Sequence, residues 1–168
     1  FLFPAMGSHG GATVQGQLAV LESYGITEQQ IGAPICATMN TVCIGETSDG
    51  QEVHLDACAE RSEHIVFMNR IKAHTAFEGQ YESGLMKMLA IGMGKHAGAQ
   101  ICHQWGFERM AKQIPLFAEV VLAKKPILFG IALIENAYEQ TCKIELLPAQ
   151  HIPHEEPRLL AYAKSRMG

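Results

Sequence analysis

Four histidines and one lysine are the residues whose setting in this chain could do chemistry. His9 lies in GSHGG, residues 7–11, directly after an apolar run that reads as a strand. An open α/β sheet presents ligands beyond its strand ends. Glycines on both sides let the backbone approach a ligand, and the helix start that follows offers N–H groups to an anion. His74, in NRIKAHTAFEG, repeats that setting after a second apolar run, HIVFMN. Imidazole titrates near neutrality, so two of them could pass a proton on opposite faces of a small substrate. Loop histidines hydrogen-bonded to backbone are the competing reading for both.

Lys87 stands in GLMKMLAIG, among residues expected in a core. A buried ammonium is costly unless paired, and its pKa falls, which suits an amine nucleophile. A lysine snorkelling from a helix edge is the other reading. The GMGKH that follows is not a phosphate loop: the earlier glycine of GxxxxGK[ST] is missing and His96 replaces the hydroxyl. His96 and His103 are seven residues apart, two turns along an unbroken helix and too far for a two-histidine chelate. No cysteine or carboxylate is spaced to complete a protein-only metal site around His103. A metal would arrive more naturally inside an organic cofactor. The other histidines carry less: His54 alternates with Val53 and Leu55 and should face solvent, His64 starts a strand, and His151 and His154 lie in the polar stretch QHIPHEEP, read as a solvated loop.

Elements must position these groups. FLFPAM reads as a first strand, at an edge because of Pro4, and ATVQGQLAVLESYG as a helix stopped by Gly25. Residues 40–46 and 51–56 flank Asp49-Gly50 and predict a β-hairpin. HIVFMN is a buried strand, helical spacing returns over 84–92 and 97–123 with a break at Pro115, PILFGIALI and TCKIELL are two further strands, and EPRLLAYAKSRM is a closing helix. The pattern predicts an α/β fold, a sheet with helices on both faces.

The chain has 168 residues, 48% hydrophobic and 18% charged, which suits one globular domain. A net charge of −4 without a basic run argues against nucleic-acid binding, and no apolar stretch approaches the ~20 residues of a membrane span. Five scattered cysteines without CxxC spacing predict neither a disulfide framework nor a thiolate zinc site, and favour a reducing cytoplasm. The opening FLFPAMG has no initiating methionine, so a single domain belonging to a longer protein is expected.

The order of these motifs resembles the N-terminal domain of the nickel-dependent lactate racemase family, over roughly residues 7–106. The family's G-T-H-R-like turn corresponds to Gly7-Ser8-His9-Gly10, its G-x-T-x-x-G-x-P-V segment to IGETSDGQEV, its P-H loop to Ala73-His74, its S-G-G-R-K motif to Ser83-Gly84-Leu85-Met86-Lys87, and its N-H to Cys102-His103. The resemblance implies a 2-hydroxy-acid racemase or epimerase that uses a nickel-pincer nucleotide. It implies that Lys87 tethers this cofactor, with Ser83 and Gly84 beside it, that His103 ligates nickel, and that His9 and His74 are the acid/base pair. The implied partners are a small 2-hydroxy acid and cofactor-biosynthesis proteins, with self-association left open. The chain departs from the pattern where Gly10 replaces an arginine and where Leu85 and Met86 replace a glycine and an arginine. These departures keep a second reading open, a non-catalytic α/β module that binds a small anion or a divalent metal.

Overall fold

Residues 1–104 and 106–166 are described by the computed structural model. The N-terminal segment is the first departure from expectation. Residues 1–6 form no strand; Leu2 alone bridges Ile35. Pro4 has no N–H to donate to a ladder, and its carbonyl is taken by a lysine side chain, Lys95. A 3-10 turn at Gly10–Ala12 leads into α1 (Val14–Ser23), whose first turn is capped by the Thr13 hydroxyl accepting from the Gly16 N–H. The short α2 (Glu28–Ile31) follows.

The hairpin forms as predicted. β1 (Thr41–Glu46) and β2 (Glu52–Asp56) pair antiparallel, and the turn between them closes with Gly50 at φ 80. Val53 and Leu55 of β2 are wholly buried, while His54 between them reaches Thr41 and Glu52. Asp56 ends β2 and caps α3 (Ala57–Glu60), accepting from the Cys58 and Ala59 N–H groups.

A second sheet has the order β3-β4-β5, formed by β3 (Ile65–Arg70), β4 (Ile127–Glu135) and β5 (Thr141–Pro148). β3 and β4 are parallel, so the chain must cross over between them. The crossover carries the candidate chemistry: α4 (Leu85–Lys87), a π-helical turn at Met88–Gly92, α5 (Lys95–His103) and α6 (Phe107–Lys124). The helical break predicted at Pro115 falls instead at Gly106, where φ is 78. Pro115 stays inside α6 because Met110, Ile114, Phe117 and Val121 bury one continuous face, which outweighs the hydrogen bond lost at the proline.

β5 returns antiparallel to β4, and α7 (Ile152–Arg166) closes the described chain. QHIPHEEP is not a loop: a 3-10 turn at Ala149–His151 runs straight into α7, with Pro153 in the first turn, where a missing N–H costs little. His151 and His154 are exposed, as expected, but His154 sits on a helix. Leu85 packs so closely on β4 that a side chain at Gly130 would put its Cβ 2.9 Å from a Leu85 methyl. On the opposite side of that sheet Met68, Ile144 and Leu146 are exposed. The fold class is the α/β one that the sequence predicts; the strands divide between two sheets, and the face of the second sheet opposite Leu85 is exposed, not covered by helices as expected.

One cysteine reading is corrected. Cys36 and Cys58 form a disulfide, where the sequence suggested free thiols; their separation of 22 residues matches no motif, and tertiary contact alone brings them together. Cys43, Cys102 and Cys142 are free. No helix of the described residues is long and apolar enough to cross a membrane.

Candidate functional site

The GSHGG loop is built from close backbone packing. Gly7 and Gly10 have φ of 57 and 65, and the Gly7 N–H donates to the Gly92 carbonyl at 3.0 Å. A Cβ on Gly16 would lie 1.8 Å from the Gly10 oxygen, so α1 abuts the loop with no room for a methyl. Gln17 of α1 is fully buried and donates its amide to the carbonyls of Gly7 (3.0 Å) and His9 (3.3 Å). The His9 ring places Nδ1 2.8 Å from the Met6 carbonyl. A carbonyl only accepts, so Nδ1 carries the proton and Nε2 of the neutral ring holds the lone pair.

Beyond the end of β3, Lys72 and Ser83 exchange two backbone hydrogen bonds, 2.8 and 3.2 Å, which close the loop between them. Inside that loop the buried Glu82 carboxylate accepts from the N–H groups of His74 and Gly79 and from Lys164 of α7. Burial alone would raise this carboxyl; the Lys164 ammonium and the two N–H groups outweigh it and hold it below the usual range. The start of α4 is held from α7 as well. Glu156, 1% exposed, accepts from the Met86 N–H at 2.8 Å. A Cβ on Gly84 would fall 2.2 Å from a Glu156 carboxylate oxygen, so the glycine makes room for this cap. Burial pushes the Glu156 carboxyl up to about 7, against the pull of the Met86 and Leu85 N–H groups.

Lys87 ends α4, half-buried. Among the described residues no carboxylate lies within 4.0 Å of its amine. Its amine stands 5.9 Å from the centre of the Phe77 ring. Burial first, and the charge of Lys72 second, hold its pKa below the ordinary lysine value. Directly after it the helix widens into the π turn, a deviation that recurs at functional sites. Gly92 in that turn is pressed against the Ala5 carbonyl, 2.7 Å from where a Cβ would be.

His9, Lys87 and His103 line one cleft of about 640 Å³, together with Arg70, Lys72 and Ser83. Among the described residues no aspartate or glutamate lines it. Its polar character is therefore cationic and imidazole-rich. His103, at the exposed end of α5, has its pKa lowered by burial and then by Lys87. His103 and Ser8 also border an adjoining hollow of about 710 Å³ that includes His96.

Two predicted site residues do not line the cleft. Gly84 is occupied with the α4 cap. His74 stacks on Phe77 at a ring-centre distance of 4.2 Å, and the same Phe77 ring faces the Lys87 amine. Its Nδ1 accepts from the Ala76 N–H at 3.1 Å, so the neutral ring carries its proton on Nε2, the opposite tautomer to His9. Burial, then the Lys87 charge, lower its pKa, which places the two within electrostatic reach.

Five residues were missed by sequence reasoning: Gln17, Glu82, Lys95, Glu156 and Lys164. Lys95 is wholly buried, donating to the Pro4 carbonyl and the Gln17 amide oxygen and standing 3.3 Å from Asp56 Oδ2. It holds the N-terminal segment and, through Gln17, the loop that carries His9. A lysine after Gly92-Met93-Gly94, at the end of an apolar run, was the local signal in the sequence; its positive φ of 54 shows only in the structure. Among the described residues no group of three or more His, Cys, Asp or Glu could hold a metal ion.

No family model matches the sequence, and no curated protein matches it. The fold is similar to that of a solved lactate racemase apoprotein from Thermoanaerobacterium thermosaccharolyticum, with a TM-score of 0.59 at 11% identity, covering 84% of this chain and 37% of that one. The chain thus spans just over a third of that racemase, and the likeness is one of fold.

Proposed function

We propose that this chain is the racemase- or epimerase-like part of an enzyme acting on a 2-hydroxy acid, with Lys87 as the tether of a nickel-pincer nucleotide. The observation that carries this reading is the meeting of Lys87, His9 and His103 in one cleft without a carboxylate. The residues fit such a group. An amine that lacks an ion pair and has a lowered pKa is more often unprotonated and can be acylated. An imidazole that belongs, among the described residues, to no group of three or more metal-ligating side chains suits a metal that brings its own carbon and sulfur donors. When bound, the cofactor supplies a site that accepts hydride from C2 and returns it to either face of the planar 2-keto acid. The α-hydrogen is too weakly acidic for imidazole to remove as a proton.

The chain's own residues supply the rest. Lys87 holds the cofactor through an amide-type bond, with Ser83 beside it, and His103 is the protein ligand to nickel. His9 Nε2, left with its lone pair by the Met6 contact, takes the hydroxyl proton of one enantiomer. The resemblance assigns the proton transfer on the other face to His74, a role for which its ring, stacked on Phe77 outside the cleft lining, would have to turn toward the substrate as an imidazolium. A cation of the cleft lining, Arg70 or Lys72, attracts the carboxylate.

The test is chiral chromatography of single enantiomers of lactate and malate after incubation with protein produced alongside cofactor-biosynthesis enzymes. Interconversion lost in His9→Ala and His74→Ala with nickel retained, and nickel lost in His103→Ala, is expected. Interconversion that survives Lys87→Ala overturns the reading. A non-catalytic anion-binding module is the second reading, favoured by the position of His74 outside the cleft lining. Malate binding without interconversion by the loaded protein selects it.

A further inference from the structure

Arg70 and Lys72 have no part in the resemblance, yet they are the two cations that flank the cleft from the end of β3. Their placement is built. Arg70 donates Nη1 to Glu135 Oε2 of the neighbouring strand at 3.0 Å, which orients the guanidinium and leaves its other N–H groups for a ligand. Lys72 is fixed at the backbone by its bridge to Ser83, which lines the same cleft. Among the described residues no carboxylate stands within 4.0 Å of the Lys72 amine, and its charge is felt by Lys87 and His74. Acylation of Lys87 would remove its own charge, and Arg70 and Lys72 would remain as the cations of the cleft lining, Arg70 paired with Glu135, which lies outside that lining.

We infer that Arg70 and Lys72 form an oxyanion subsite, and that the 2-hydroxy acid held in this cleft carries a second anionic group, a carboxylate or a phosphate. One cation meets the C1 carboxylate and the other the second group. A monoanion such as lactate engages one of the two and leaves the remaining N–H donors of the other without an acceptor, Arg70 keeping only its Nη1 contact to Glu135. The inference rests on the reading of the cleft as a 2-hydroxy-acid site.

Calorimetric titration of the unloaded chain at low salt tests it, with lactate, malate and 3-phosphoglycerate as probes. Malate or 3-phosphoglycerate should bind at least about tenfold more tightly than lactate, the size expected for one added charge-assisted contact. Which of the two gains more identifies the second group as carboxylate or phosphate. The advantage should vanish in Arg70→Met/Lys72→Met and survive in Lys72→Arg; both side chains are exposed, and a melting curve checks that each variant folds. Equal binding of all three probes, or an advantage that persists in the double variant, overturns the subsite. An advantage erased by saturating nicotinate mononucleotide assigns the subsite to a cofactor phosphate and overturns the substrate class. No arm uses nickel or turnover, so an unmodified Lys87 would refute the tether and leave this result standing, and equal binding of the probes would do the reverse.

Discussion

Lys87 and Lys95 lie eight residues apart in one run of sequence, and both are withdrawn from water. Lys95 is fully enclosed and has every partner an ammonium needs: a carboxylate, an amide oxygen and a carbonyl. Lys87 is only half-buried, yet it has an aromatic ring and two imidazoles for neighbours and, among the described residues, no carboxylate within 4.0 Å. The more buried lysine is the structural one. A buried amine is available for chemistry when its neighbours fail to compensate its charge, and depth alone does not mark it.

The largest effect should separate the two. Lys95→Met leaves Asp56 buried without its counter-charge and should cost about 3–5 kcal/mol in urea unfolding. Lys87→Met removes an uncompensated cation and should shift stability by less than about 1 kcal/mol, or raise it. Equal losses would erase the distinction.

Glu156 extends the comparison to α7. Its folded carboxyl titrates near 7 against an ordinary 4.5, so between those values the folded chain holds a proton that the unfolded chain has released. Its contribution is fully present below about pH 4.5 and is lost as pH rises through about 7, a change of roughly 3 kcal/mol. Glu156→Gln should flatten the melting temperature over that window relative to the parent chain. An unchanged slope would remove Glu156 from the account.

Gly16→Ala should cost about 1–3 kcal/mol, since the methyl would meet the Gly10 carbonyl and push on the loop that carries His9. A melting curve reads it, and a neutral result would mean that the loop gives way freely. The smallest effect is electrostatic. Lys87→Met should raise the pKa of both His74 and His103, because the Lys87 charge helps to lower each. NMR titration reads this directly; unmoved histidines would place the amine farther from both rings than the structure has it.

Local grammar was legible and long-range compensation was not. Asp49-Gly50 announced the hairpin, and short apolar runs announced β3, β4 and β5. His9, Ser83, Lys87 and His103 were legible as motif residues, and all four line the cleft. Lys95 was not, because its partners Gln17 and Pro4 are 78 and 91 residues away in sequence. Glu156 caps a helix start 70 residues earlier, so a region without any motif supplies the support for Lys87. Pro115 and residues 1–6 were misread for one reason: packing and side-chain hydrogen bonds overrode local propensity. His74 was placed by motif beside the other candidates, but Phe77 takes the contact with its ring.

Peptide-resolved mass spectrometry of the chain, made together with cofactor-biosynthesis enzymes, bears most directly on the tether. A nucleotide adduct confined to the Lys87 peptide, absent from Lys87→Ala and never found on Lys95, is the expected result. An unmodified Lys87 in protein purified under those conditions would contradict it.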